Sequence, residues 1–157
     1  QGQQTTFLDL SPSSPFGDFA RCMHAFVERQ IQRLEKYSQQ TSHPWLRSIP
    51  SQWKLQAWAT VLSQDGRQRP HIHPAGWMSG VFYLDPGHPD APGDGDIEFG
   101  QAPEEFAIRS SHHTHAFTPI AGQMICFPSY FFHCTTPYRN KDGTPRISLA
   151  FDVLPIR

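Results

Sequence analysis

His71-Ile72-His73-Pro74, followed by Ser79-Gly80-Val81-Phe82-Tyr83-Leu84, decides how this chain is read. Side chains on an extended segment alternate faces, so residues two apart point the same way. If residues 70–74 are extended, His71 and His73 present two imidazoles to one side. Imidazoles about 7 Å apart along a strand can close on one metal ion when a third ligand arrives from elsewhere. Phe127-Pro128-Ser129-Tyr130-Phe131-Phe132-His133 offers that ligand in His133. Arg146-Ile147-Ser148-Leu149-Ala150-Phe151 then reads as a strand opening with a cation.

Parity along these segments predicts a lined cavity. Ser79, Val81 and Tyr83 share one face of their strand, and Arg146, Ser148 and Ala150 share one face of theirs. The opposite face of the last strand, Ile147, Leu149, Phe151 and Val153, is apolar without a break. Polar groups thus point into a pocket while the other face packs under a covering element.

Working outward, Ser14-Pro15 is a helix-start signal. Phe16, Phe19, Ala20, Met23, Phe26, Val27, Ile31 and Leu34 follow the helical rhythm, which predicts one amphipathic helix over about 15–37. His24 lies off that stripe, at the surface. Residues 1–14 are polar and read as poorly ordered, and Gln39–Ser51, broken by Pro44 and Pro50, reads as a loop. The rest of the chain is β-rich. Strands are predicted at Trp53–Leu62, His71–His73, Met78–Leu84, Ile97–Phe99, Phe106–Ile108, Ala116–Thr118, Met124–Phe127 and Arg146–Leu154. Asp65-Gly66 and Asn140–Gly143 are turns, and Asp85–Asp96 is too rich in Pro, Gly and Asp for regular structure. Short strands, turns between them and one helix predict a mainly β, cupin-like jelly roll (a double-stranded β-helix) with its core over about 53–154.

A chain of 157 residues is one domain by size. It begins with Gln1 rather than Met, so a domain taken from a longer chain is expected. The formal net charge is −1 and no basic stripe is present, which argues against a nucleic-acid partner. No apolar run approaches the ~18–20 residues of a membrane span. Cys22, Cys126 and Cys134 have no paired spacing, which points to a reducing, cytoplasmic setting. Cys134 alternates with His133 and reads as a small buried hydrophobe. His112, His113 and His115 form a second cluster in a Ser/Thr-rich stretch and read as a solvated segment.

Together these motifs resemble the iron(II)/2-oxoglutarate-dependent oxygenase superfamily. HxHP, SGVFYL, GQMICFPS and RISLAF are similar, more narrowly, to a family of bacterial and phage 2-oxoglutarate oxygenases. The resemblance covers roughly residues 53–154. It implies Fe(II) as cofactor, 2-oxoglutarate (2OG) as co-substrate and O2 as oxidant, acting on a small-molecule, peptide or protein substrate, most simply by hydroxylation. His71 matches the first histidine of the motif and His133 the distal one. The motif has Asp or Glu where this chain has His73, so the implied ligand set is three imidazoles; if His73 is not the third ligand, Asp94, Asp96 or Glu98 in the following acidic segment becomes the carboxylate candidate. Arg146 matches the residue that holds the far carboxylate of 2OG, aided by Ser148 and Tyr83. Gln56, Trp58, Trp77 and Tyr130 are candidates for the substrate pocket.

Two other classes fit the same residues. Three histidines are also the ligand set of a zinc hydratase or hydrolase, in which the metal lowers the pKa of bound water to about 7. A cupin-type dioxygenase working without 2OG is related to it. Neither uses Arg146 and Ser148. A jelly-roll binding domain without catalysis is the remaining class.

Overall fold

The computed structural model describes residues 2–106 and 113–156. In chain order the elements are strand β1 (Gly2–Gln4), helices α1 (Gly17–Ser38) and α2 (Pro44–Arg47), and strands β2 (Trp53–Leu62), β3 (Met78–Asp85), β4 (Ile97–Phe99), β5 (His115–Phe117), β6 (Met124–Pro128), β7 (His133–Thr135) and β8 (Arg146–Pro155). Five strands form a large antiparallel sheet in the order β1-β2-β8-β3-β6. Three form a small antiparallel sheet, β5-β4-β7. The result is a jelly-roll, cupin-like double-stranded β-helix with a helix over its large sheet.

Alternation sets what each face does. The odd positions of β8 include Phe151 and Val153, which pack with Ala57 of β2 and Met78 of β3 beneath Met23, Val27 and Ile31 of α1. These helix residues recur three or four apart, so one stripe of α1 is buried. The other face of the large sheet looks at the small one. There Val81, Tyr83, Ile97, Phe99 and Phe127 form a second apolar cluster. The site lies in this inter-sheet space.

Several elements differ from the sequence reading. Helix α1 starts two residues later than Pro15, because residues 11–16 form turns in which Ser14 Oγ accepts the Phe16 N–H. The segment read as the loop Gln39–Ser51 contains α2, with Pro44 at its first turn. Trp45 anchors it: the Trp45 and Trp77 indoles stack with centroids 4.8 Å apart and each donates to the other's carbonyl. The polar N-terminus supplies β1, paired in register with Thr60–Leu62.

His71–His73 is not a strand. His71 makes one isolated antiparallel bridge, with His133, exchanging hydrogen bonds of 3.0 and 3.1 Å. The chain from Gly66 to His71 thus runs beside β7 as a broken fourth row of the small sheet, with Gly66 opposite Tyr138 at its far end. Pro70 lacks the N–H a regular ladder requires, and Pro74 limits extension on the other side. Of the strand predicted at Phe106–Ile108, only Phe106 falls among the described residues, where it ends a 3-10 turn over Glu104–Phe106.

Candidate metal centre

Three imidazoles converge between the sheets. His71 and His73 come from the connection between β2 and β3, and His133 opens β7. Ring centroids are 5.2 Å apart for His71 and His73, 4.3 Å for His71 and His133, and 5.1 Å for His73 and His133. One nitrogen from each lies within 4.8 Å of the others, the only such cluster among the described residues. Backbone hydrogen bonds set these positions. His71 is bridged to His133, and the His73 N–H donates to Ser129 O at 2.9 Å.

The outer nitrogens have partners. His71 Nδ1 donates to Arg69 O at 2.7 Å, and His133 Nδ1 to Phe131 O at 3.0 Å. His73 Nδ1 lies 2.7 Å from Asp152 Oδ1. With Nδ1 carrying the proton, each Nε2 presents a lone pair inward, the tautomer a metal ion needs. Burial lowers the pKa of His71, and pushes His133 down to about 4 with help from the neighbouring imidazoles. Both shifts favour the neutral ring, the form that ligates a metal. The donor set fits a mononuclear metal.

A narrow cavity of about 30 Å³ runs from the histidines between the sheets. Trp58 and Thr60 of β2, Tyr83 of β3, and Arg146 and Ser148 of β8 line it. Tyr83 and Ser148 face each other in register, as do Thr60 and Ser148. Arg146 is only 2% exposed, with its guanidinium carbon 5.2 Å from the Tyr83 ring centre. One guanidinium nitrogen donates to Gly95 O, while Arg146 Nε has no protein partner. Gly95 has φ +78°, and a Cβ there would meet Tyr138 at 2.9 Å, so glycine is needed for this approach. Tyr83 Oη, Thr60 Oγ1 and Trp58 Nε1 are likewise buried and unpartnered. Burial pushes the Tyr83 phenol up to about 12, which keeps it a donor. Four orphaned polar groups around one cavity, three of them donors or able to donate beside a cation, mark a place for a polar ligand.

A wider groove meets this cavity at the histidines. Gln56, Trp58, His71, His73 and Asp152 line it together with the N-terminal residues Gln4–Phe7. Trp58 stands between the two spaces and stacks on His73 at 5.5 Å. Trp77 is 4% exposed and packs in the core beneath α1, while Tyr130 lies on a separate surface with Tyr37 and Phe131. Asp94 pairs with Arg139 at 3.3 Å, and neither it, Asp96 nor Glu98 joins the histidine cluster. His113 and His115 are exposed, and His112 lies outside the described residues. Cys134 faces away from His133 and lies 3.6 Å from Gln101 Oε1. The three cysteines are free.

Asp152 escapes a reading based on motifs alone. Its signal is parity: it continues the inward row Arg146, Ser148, Ala150 and is a carboxylate in an otherwise apolar run.

A sequence family described as "Putative 2OG-Fe(II) oxygenase" matches residues 56–152, more than half of the chain. No curated protein matches the sequence. Among solved structures, a Pseudomonas putida prolyl-4-hydroxylase is similar with a TM-score of 0.66 at 17% identity, covering 99% of this chain and 73% of that one. A viral collagen prolyl hydroxylase from Paramecium Bursaria Chlorella virus-1, in complex with 2OG, gives 0.63 at 11% identity, covering 99% and 80%. A 2OG-Fe(II) oxygenase family oxidoreductase from Burkholderia pseudomallei gives 0.52 at 15% identity, covering 69% and 48%. At these identities the likeness is one of fold.

Proposed function

The chain belongs to this 2OG-Fe(II) oxygenase family, and from that premise we propose that residues 1–157 act as one iron(II)/2-oxoglutarate-dependent dioxygenase domain, most simply a hydroxylase. The observation that carries the reading is the buried Arg146 with an unpartnered Nε at one end of a cavity whose other end holds three imidazoles. A 2-oxo diacid has two ends to satisfy, and this cavity has a fitting group for each.

His71, His73 and His133 would hold the iron, which when bound supplies the oxygen chemistry that couples substrate hydroxylation to conversion of 2OG and O2 into succinate and CO2. Arg146 would hold the far carboxylate, its guanidinium forking two parallel hydrogen bonds once it turns from Gly95. Tyr83 Oη would donate a further bond, and Ser148 borders the same end. The cavity has room for a water or two, so Arg146 or Trp58 must turn aside to admit the co-substrate. The substrate would enter by the groove of Gln56 and Trp58, which reaches the histidines from the other side. Two fold relatives are prolyl hydroxylases by name, which supports hydroxylation as the outcome.

Two observations favour a second reading. The donor set is three imidazoles without a carboxylate, and the cavity is tight. Both suit a three-histidine zinc hydrolase or a cupin-type dioxygenase that needs no 2OG. Anaerobic titration of the metal-free protein with iron(II), then 2OG, separates them. The oxygenase reading expects a visible charge-transfer band that needs both additions, and O2-dependent release of succinate. Tight zinc binding with no response to 2OG would transfer the assignment to the second reading. No helix among the described residues is long and apolar enough to cross a membrane.

A further inference from the structure

Two of the three imidazoles donate to neutral backbone carbonyls two residues away from them. The third does not. His73 Nδ1 is 2.7 Å from Asp152 Oδ1, a side chain 79 residues further along the chain. Asp152 is 8% exposed. The same oxygen accepts the Ser79 hydroxyl at 2.6 Å, and Ser79 Oγ is 2.8 Å from Ser129 Oγ. Ser79 and Ser129 are each 1% exposed. Pairing of β3 with β8 sets Ser79 directly opposite Asp152. Ser129 closes the loop, because its carbonyl accepts the His73 backbone N–H. Both ends of His73 are thus fixed by one buried network.

The position so treated is the one that departs from the His-x-Asp/Glu pattern. A two-histidine, one-carboxylate set leaves a divalent metal near +1, while three neutral imidazoles leave it near +2. We propose that Asp152 returns the missing negative charge through the His73 ring, making it a positioning residue that lies one imidazole away from the metal. A carboxylate on the outer nitrogen orients the ring and raises the basicity of the inner nitrogen. The carboxylate has been moved outward rather than lost. Among the three histidines, charge is concentrated at the place where the motif has it. This inference rests on the metal-centre reading of His71, His73 and His133.

The test uses Co(II) as an air-stable probe, titrated into the metal-free protein and followed by its visible d–d absorption. Asp152→Asn keeps an acceptor oxygen and removes the charge. It should weaken Co(II) about 10- to 100-fold and shift the bands. Ser79→Ala leaves the charge but frees the carboxylate, so a loss of about 5-fold is expected, the scale of one hydrogen bond. It serves as the second variant should Asp152→Asn not fold. In a His73→Asp background the carboxylate is already a ligand, so adding Asp152→Asn should leave affinity unchanged or tighten it. Wild-type affinity and spectrum in Asp152→Asn would overturn the proposal. So would an equal loss in both backgrounds, because that is the signature of a structural role. If His133→Ala binds Co(II) as well as wild type, the metal-centre reading itself has failed, and the result is distinct from the other two.

Discussion

At the scale of single residues, Arg146 is where the oxygenase reading and its competitors make different predictions. A buried guanidinium needs a reason to be inside, since an ion removed from water costs several kcal/mol unless it is paired. Here one nitrogen rests on Gly95 O and Nε has no protein partner. Burial also draws its pKa down from the ordinary value. If it clamps a carboxylate, Arg146→Ala should weaken 2OG by about 30- to several-thousand-fold, from the roughly 2–5 kcal/mol for breaking a desolvated charge pair. Iron(II) affinity should barely move. Arg146→Lys should restore only part of the loss, because a point charge cannot fork. Anaerobic 2OG titration of the iron-loaded variants measures this, and equal affinity in wild type and Arg146→Ala would remove the clamp. The residue was legible in the sequence as a cation opening an inward-facing row. Its Gly95 partner was not, because Gly95 sits in a loop whose path only the tertiary fold fixes.

At the scale of elements, the long strands were legible and the short ones only in part. β2 spans the predicted Trp53–Leu62, and β3 and β8 each fall within a residue of expectation. Ten- and eight-residue runs carry enough alternation to declare a period. β7 has three residues and directly follows an aromatic turn, so no period can be read from it. β1 is polar and wholly exposed, and owes its extension to pairing with β2 rather than to burial. The loop after β3 was rightly denied regular structure, yet it is held firmly. The hydroxyl of Tyr138, 0% exposed, accepts the His88 N–H at 3.0 Å and donates to Thr144 O at 2.8 Å. Asp90 N–H donates to Arg139 O, and Gly95 N–H to Pro137 O. Tyr138→Phe removes the shared hydroxyl while keeping the ring, so it should destabilise the protein by about 1–3 kcal/mol. A shift of the urea midpoint to lower concentration reports it, and an unmoved midpoint would mean that water replaces the hydroxyl without loss.

At the scale of the whole molecule, the chain is three layers with stability and chemistry on opposite faces of one sheet. Odd positions of β8 hold α1 down, and even positions line the site. The candidate metal ligands come from the β2–β3 connection and from β7 of the small sheet, and Asp152 ties His73 to the large sheet. A bound metal would therefore clasp the two sheets together. Met23 of α1 is 2% exposed and lies on the far side of the large sheet. Met23→Ala should cost about 2–5 kcal/mol from lost burial and the cavity left behind. For a domain of this size that is a fall of roughly 4–20 °C in Tm. Because the helix face and the metal face share no side chain, metal should stabilise both proteins alike. At one hundred times Kd the gain is about 2.7 kcal/mol, so Tm should rise by a similar amount in wild type and in Met23→Ala. The same addition to His133→Ala should give no rise. Thermal melts of the three proteins with and without Co(II) make the comparison. A rise in wild type that disappears in Met23→Ala would show that the two faces are coupled, and that the large sheet does not insulate the site from the helix.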